Sequence, residues 1–595
     1  MRTRQLLTPA TVKQNLIGLA VLAAVSLWPA GVAAQAENAV REPTKQSSQS
    51  SLIVPLPPPD SLVPPAAKKN IVIGDFQFDD DQPANSLEVV LRSMFESNHT
   101  SGSGRASSFL EPGNYWLHDV EIAARTQLGE TWNSELNVAL RYTDSRRHDP
   151  SNASLQRLQF VASDEKNHVS VGDYYATLSQ YSLNRAIKGV GYQRAVGDAS
   201  HVRVVVGTFD PRWDYLFANK AGEPIDRYVT GVRAQTEGER YRIGLNLVNA
   251  WDRDDDPVRT TEDTYRQFLP SVDWEYRTEA GLRLSGEHAY AGTRRQAVNR
   301  SETELDGSAH RLNFDGTLGE LRLRARAERV SPDFQTLGGG AAIDRLRLYA
   351  RGDYRLTKVW GVFAAVDRYH DNLGGQLAAT TRTQIPEIGI SARGLFDRRS
   401  LSFSSSLRQR QVDVDGILPQ ESVSDRIYLS VSDRYNQFGV RGEVEALLNQ
   451  RKGTTTDSND DFLYRLSIDS RHQIIDGRFD LRPNLILERQ ELEDPTTGSM
   501  VRTHGVRFDL QLLTQGHLSY GLNLEDRRTN NDILGADDTH LRRIALNLYS
   551  KPAILRGGSF RAETGLGDYA FSSAGKDYNE RYIRLMLDFP LAYGN

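Results

Sequence analysis

The chain has 595 residues, 39% of them hydrophobic and 25% charged, and a formal net charge of -5. That balance offers no basic field for nucleic acid. The hydrophobic fraction is low for a soluble α/β enzyme of this size, while 9% aromatic residues are too many for a disordered chain. Cysteine is absent, which excludes disulfides, thiolate metal sites, c-type haem attachment and a lipid-bearing cysteine.

Arg2, Arg4 and Lys13 precede an apolar stretch from Leu16 to Trp28, and Val32-Ala33-Ala34-Gln35-Ala36 supplies the small residues of a cleavage site. This reads as a secretory signal peptide over 1–36, because about 13 apolar residues are too few to cross a ~30 Å hydrocarbon core. Residues 37–84 follow as a Pro-rich periplasmic linker with Pro55, Pro57, Pro58, Pro59, Pro64 and Pro65. Proline fixes φ and removes donors, so the segment is an extended tether. Docking of a periplasmic partner is its alternative use.

Residues 85–595 carry a different signal. In Leu136, Val138, Leu140 and Tyr142, in Tyr241, Ile243, Leu245 and Leu247, and in Val506, Phe508, Leu510 and Leu512, every second residue is apolar and the intervening ones are mostly polar. Each run spans about 9–12 residues, longer than the five or six of an average globular strand. Long amphipathic strands without intervening helices indicate an all-β fold, a membrane-spanning antiparallel up-and-down β-barrel. Short hinges such as 196–200, 237–239 and 434–437 alternate with longer polar loops at 177–186, 292–307, 331–343, 412–424 and 449–461. Outer-membrane barrels place short turns on the periplasmic side and longer loops outside.

About 25 strands can be read from Leu117 to Phe589, and single-chain bacterial barrels have even numbers. Parity therefore assigns 85–116 as a first strand, Leu87–Glu96, with its outer loop over 97–116, giving about 26 strands within a range of 24 to 26. The same segment also fits an amphipathic helix or plug, with Leu87, Val90, Leu91, Met94 and Phe95 on one stripe.

Arginine dominates the basic residues: 11 of the 72 are Lys, leaving 61 Arg. Arg322, Arg324, Arg326, Arg345, Arg347, Arg351, Arg408 and Arg410 occupy polar positions of the alternation. A charge facing lipid costs about 2–4 kcal/mol near the midplane, so these eight are candidate lumen-facing residues. They would either hold anionic or hydroxyl-rich cargo or stiffen the wall as cross-strand ion pairs. Trp132, Tyr142, Trp274, Tyr276, Trp360, Tyr369 and Tyr549 lie towards strand ends, where an aromatic girdle belongs. Acidic loop clusters such as Asp252, Asp254, Asp255 and Asp256 read as solvated, since Pro257 stands where a calcium loop of the EF type needs Gly. No G-x-S-x-G, H-E-x-x-H or phosphate loop occurs, so no catalytic, metal or cofactor set is assigned. The last strand puts Ile583, Leu585, Leu587 and Phe589 on one face, candidates for the signal read by barrel-assembly machinery. Pro590 should end its ladder and leave 591–595 as an overhang.

The segment Val171-Gly172-Asp173, Tyr181-Ser182-Leu183, Arg185 and Gly189-Val190 resembles the paired Gly-Asp and Arg…Gly strands of ushers and other wide secretion barrels. The chain is thus similar to large outer-membrane β-barrel, porin-like or secretion-type proteins of Gram-negative bacteria. It departs from ushers in showing no paired-cysteine domain. The resemblance implies an outer-membrane pore with a polar, Arg-lined interior for a large solute or polymer, such as exported polysaccharide or protein. The alternative is a structural or surface-binding barrel that docks a partner without conducting. Outer-membrane lipid and lipopolysaccharide would surround it; nucleic acid is not a partner, and no enzymatic role is read.

Overall fold

The computed structural model describes residues 85–594 apart from 211, 215–224, 254–261, 299–300, 417–418, 453–456, 476, 495–497, 515–517 and 556. The signal peptide and linker expected over 1–84, and the acidic positions Asp254, Asp255 and Asp256, lie outside the described residues.

The strands, in chain order, begin with β1 Ser86–Ser101, β2 Gly113–Leu128, β3 Trp132–Thr143, β4 Ala153–Ser163, β5 Asn167–Ser179 and β6 Leu183–Val196. Next come β7 Ser200–Thr208, β8 Arg227–Glu237, β9 Tyr241–Asp252, β10 Thr264–Arg277, β11 Arg283–Gln296, β12 Glu302–Leu318 and β13 Leu321–Val330. The chain continues with β14 Arg345–Arg355, β15 Trp360–Asp371, β16 Ala379–Arg393, β17 Ser402–Gly416, β18 Gln420–Tyr435 and β19 Phe438–Lys452. Two ladder segments, Asp457–Ser470 and His472–Ile474, both pair with Phe479–Glu493 and form one strand, β20, interrupted at Arg471. The last six are β21 Phe479–Glu493, β22 Met500–Thr514, β23 Leu518–Asn531, β24 Thr539–Ser550, β25 Ser559–Phe571 and β26 Tyr578–Gly594.

These 26 strands form one closed antiparallel sheet among the described residues. Each pairs with its sequence neighbours, and the first pairs with the last from Ser86↔Gly594 to Ser101↔Asn579. The segment 86–101 is thus a strand, as parity required, and not a helix. Closure leaves no strand edge unpaired around the ring, the condition for a sheet to sit in lipid.

Side chains alternate between two unlike faces. On β9, Leu245 and Leu247 are 55% and 52% exposed, while Asn246 and Val248, which alternate with them, are each 1% exposed. The outer rows stay apolar all round, with Val204, Leu312, Leu348, Ile388, Leu429, Val506, Leu546 and Leu585 among the exposed residues.

Several sequence expectations are corrected. Strands run to 17 residues, and the expected loops 292–307, 412–424 and 449–461 are mostly strand, leaving connections of only 297–301, 417–419 and 453–456. Polar hairpin arms continue past the apolar band because backbone pairing needs no particular side chain there. Likewise β1 extends to Ser101 and β2 starts at Gly113, which shortens the first outer loop to 102–112. Pro590 does not end the last ladder, which pairs Pro590 with Val90 and continues to Gly594. Pairing of that strand with its other neighbour stops at Ser559↔Asp588, so on that side no ladder bond remains for a missing N–H to break. Of the expected girdle, Tyr369 and Tyr549 instead occupy inward positions, beneath Arg345 and Arg561 at 5.5 and 5.8 Å.

Candidate functional site

The interior is organised by a hairpin that the alternation alone would leave outside. The β4–β5 ladder stops at Gln159↔Gly172, and the β6–β7 ladder stops at Lys188↔Thr208. Beyond those points residues 173–187 pair only within the hairpin, from Asp173↔Lys188 up to Ser179↔Leu183. Glycine permits the bend. Gly172 has φ +95°, and a Cβ there would lie 2.0 Å from the Leu158 carbonyl oxygen; a Cβ on Gly189 would lie 2.0 Å from that of Val206. Asp173 secures the breach in the wall, accepting hydrogen bonds from the Leu158 N–H at 2.7 Å, Lys188 Nζ at 2.6 Å and Trp213 Nε1 at 2.6 Å.

The tip of this hairpin crosses the inner faces of β7 to β13, five of which hydrogen-bond to it. Arg203 of β7 donates to the Thr177 carbonyl at 2.7 Å, and Arg233 of β8 donates to that of Leu178. Ser179 meets Ser271 of β10 at 3.0 Å. The Tyr181 N–H donates to Glu287 of β11 at 2.9 Å, and its hydroxyl donates to Glu328 of β13 at 2.7 Å. Residues 177–186 are therefore a lumen element and not the outer loop expected from the sequence. Buried backbone groups demand partners, and here wall side chains supply them.

Loop 331–344 closes over the hairpin. The Asn184 N–H donates to Gly338 O at 2.9 Å, Gly340 N–H to Gln180 O at 2.9 Å, and Thr336 Oγ1 to Tyr181 O at 2.6 Å. Gln267 of β10 holds the loop from the wall, donating to Gln335 O at 2.8 Å and accepting from the Leu337 N–H at 3.0 Å. Two apolar cores form beneath. One joins Leu178, Leu183 and Ile187 to Val205, Val229 and Val248; the other joins Tyr181 and Phe334 to Leu269, Ala289, Ala309 and Val330. The interior is thus not polar throughout: wall positions from β7 to β13 are apolar where the hairpin and loop cover them. Burying one large apolar side chain contributes about 1.5–3 kcal/mol, so the two elements are packed as firmly as a domain core.

The eight sequence-selected arginines lie on β13, β14 and β17, at positions alternating with outward Leu323, Leu348 and Leu407. Arg324 and Arg351 share Asp353 at 3.0 and 2.7 Å, and Arg347 forks onto Asp367 at 2.9 and 2.6 Å. Arg322 reaches Asp315 at 3.4 Å, Arg326 donates to Asn313 at 3.0 Å, and Arg345 stacks on Tyr369. Arg408 sits between Glu387 and Arg426 in the ladder and Arg410 opposite Ser424, and neither arginine side chain has an ion-pair or hydrogen-bond partner among the described residues. The set is therefore brought together in pairs, not in one cluster. A recess of about 1130 Å³, lined by Arg482, Arg507, Arg543, Arg561, Glu525 and Glu563, was not singled out from the sequence. Its signal was present in the alternation Arg543, Ala545, Asn547 and Tyr549. Asp252, taken as a solvated loop acid, instead binds Arg227 at 2.5 and 2.9 Å and accepts the Tyr265 N–H at 2.9 Å.

Fold and site together define a large closed antiparallel β-barrel with an apolar outer wall and a hairpin folded into its interior. No family model matches the chain, and no curated protein matches it. Among solved structures it is similar to the outer-membrane protein OmpF of Salmonella typhi, crystallised with daunomycin, at 12% identity and a TM-score of 0.28, over 48% of this chain and 90% of that one. It is also similar to the translocation pore of the P pilus usher PapC, at 12% identity and 0.23, over 86% and 100%. OpdK of Pseudomonas aeruginosa, solved with vanillate, gives 9% and 0.27 over 86% and 99%.

Proposed function

We propose that this chain is an outer-membrane channel for a large solute or polymer, with hairpin 173–188 and loop 331–344 restricting its lumen. The observation that carries the reading is a hairpin built into the interior of a barrel far too wide for its own side chains to fill. At about 4.8 Å between strands and about 40° of tilt, a round 26-strand barrel would be roughly 50 Å across, whereas 16–18 strands already leave an aqueous channel. The hairpin and loop lie against β7 to β13, so the polar wall bearing the arginines of β14 and β17 remains for cargo. Arg408 and Arg410, which lack partners among the described residues, are its anion-contacting groups, and the paired arginines keep their carboxylates fixed. The outer membrane is the compartment that the expected signal peptide and the outward apolar rows support.

Planar-bilayer conductance of the purified chain tests this. Replacing 175–184 by a short Gly-Ser turn should raise single-channel conductance severalfold, and Arg408→Gln with Arg410→Gln should weaken anion preference. Electrical silence of both the unaltered and the hairpin-deleted protein would sink the channel reading and favour a scaffold that docks a partner.

A further inference from the structure

The lipid-side wall carries a row of basic residues that the channel reading does not use. His288, His310 and Arg329 are successive cross-strand partners on β11, β12 and β13. The row continues through Leu346 of β14 to His370 of β15 and Arg382 of β16, with Arg368 one position below, opposite Leu348. These residues share the outward face with Leu312, Leu348, Val366 and Ile388, all exposed. Arg329 is the penultimate residue of its strand, and Arg368 and His370 lie within four residues of the end of theirs, so the row marks the upper border of the apolar band on the long-loop side.

Arg329 and Arg368 are exposed, and neither side chain has an ion pair or hydrogen bond among the described residues. His288 and His310 bond to each other, Nδ1 to Nδ1, at 3.0 Å. The nearest carboxylates on this face lie above the row or at its end: Asp306 above Tyr290, Glu302 and Glu304 higher still and bound to Arg294, and Asp413 and Asp415 beyond Arg382, which Asp415 binds. Like charges side by side on a sheet are destabilising, and a guanidinium towards lipid is tolerated only near the interface. A row of this kind, with five cations or imidazoles over the five strands β11 to β15, calls for anions supplied from outside the chain.

We infer that this row binds the phosphate groups of a phosphorylated lipid in the leaflet on the long-loop side, with Arg329 and Arg368 as the principal contacts. Guanidinium matches phosphate oxygens in paired, charge-assisted hydrogen bonds. The acyl chains would lie along Leu312, Leu348 and Val366, placing headgroup and tails where one lipid molecule has them.

The inference rests on the membrane reading above and can fail independently of it. The full-length barrel would be incorporated in phosphatidylcholine vesicles containing either diphosphoryl lipid A or the same lipid fully dephosphorylated, then extracted and assayed by mass spectrometry for retained lipid. Retention should be about tenfold greater for the phosphorylated form. Arg329→Gln with Arg368→Gln should abolish that difference, while Arg347→Gln on the inner wall should preserve it; heat-modifiable mobility checks folding. The two-lipid comparison on the unaltered protein needs no variant. Equal retention of both lipids by a barrel that inserts normally would overturn the phosphate site and leave the channel reading intact.

Discussion

Tyr181 and Phe334 do for the lumen what a core residue does for a soluble domain. Their rings meet edge-on at 5.9 Å and neither is exposed at all. Truncating a buried aromatic typically costs about 3–5 kcal/mol. Phe334→Ala should therefore release loop 331–344 without unfolding the barrel, read as higher conductance and new protease cleavage within 331–344. Tyr181→Phe deletes a bond to a charged acceptor worth about 1.5–3 kcal/mol and should produce a weaker version of the same effect. On the wall, Leu348 is 49% exposed on the outer face while Arg347 forks onto Asp367 within. Ile388, 59% exposed on the same outer face, lies three outward positions from Arg382 along its strand, deep in the apolar band, so Ile388→Arg should impair assembly by about 2–4 kcal/mol. Arg347→Leu should cost no more than about 1 kcal/mol, as expected for a water-facing pair. Comparable loss of folded protein in both variants, measured as the heat-modifiable band, would contradict the assignment of faces.

At the scale of elements, the last strand is the most altered expectation. Residues 591–594 pair with Val89 back to Ser86 and so belong to the seam that closes the ring. Deleting 591–595 removes that stretch of ladder and should lower folded yield in the outer membrane, most visibly in urea. Cysteines at Ser93 and Leu587, direct partners across the seam, should crosslink in intact barrels; absence of the crosslink would mean the ring does not close there. The outer loops 532–538 and 572–577 are joined by Asp537, which accepts from Lys576 and from the Ser573 N–H at 3.0 Å. The Lys576 ammonium beside it lowers its pKa to about 2. A depressed carboxylate contributes its tie above the ordinary Asp range and loses it as pH falls through the folded value. The Asp537 tie should hold down to pH near 2 and be lost below it, loosening the two loops, which Ser572 and Asp538 also join through the backbone, a change that spin labels on 534 and 574 would report. Separation already at pH 4 would exclude this pair as the latch.

For the whole molecule, parity and closure fix which connections share an end. Connections 129–131, 197–199, 238–240 and 436–437 share one end with both termini of the barrel, and 144–152, 331–344 and 532–538 share the other. Epitope tags placed in 144–152 or 532–538 should be reached by antibody on intact cells, and tags at 238–240 or 436–437 should not. The reverse labelling would invert the channel and move the proposed lipid site to the inner leaflet.

Sequence by itself determined the strand count, the order of strands and the two faces of the wall. Each of those is a local property: a period of two, a short hinge, a count that must be even. Leu87–Glu96 shows how far that reaches, since its pattern alone also fits a helix and the even count was needed to choose. Tertiary structure alone decided the interior. The motif from Gly172 to Gly189 was visible as a resemblance, but its alternation is the same whether a hairpin extends upward or folds inward. What turns it inward is the close backbone approach at Gly172 and Gly189, together with carbonyl partners from Arg203 and Arg233 and a pocket for Tyr181 made by Glu287, Glu328 and Phe334. The Tyr181 partners lie between 106 and 153 residues away along the chain, a distance over which a repeat of two carries no information.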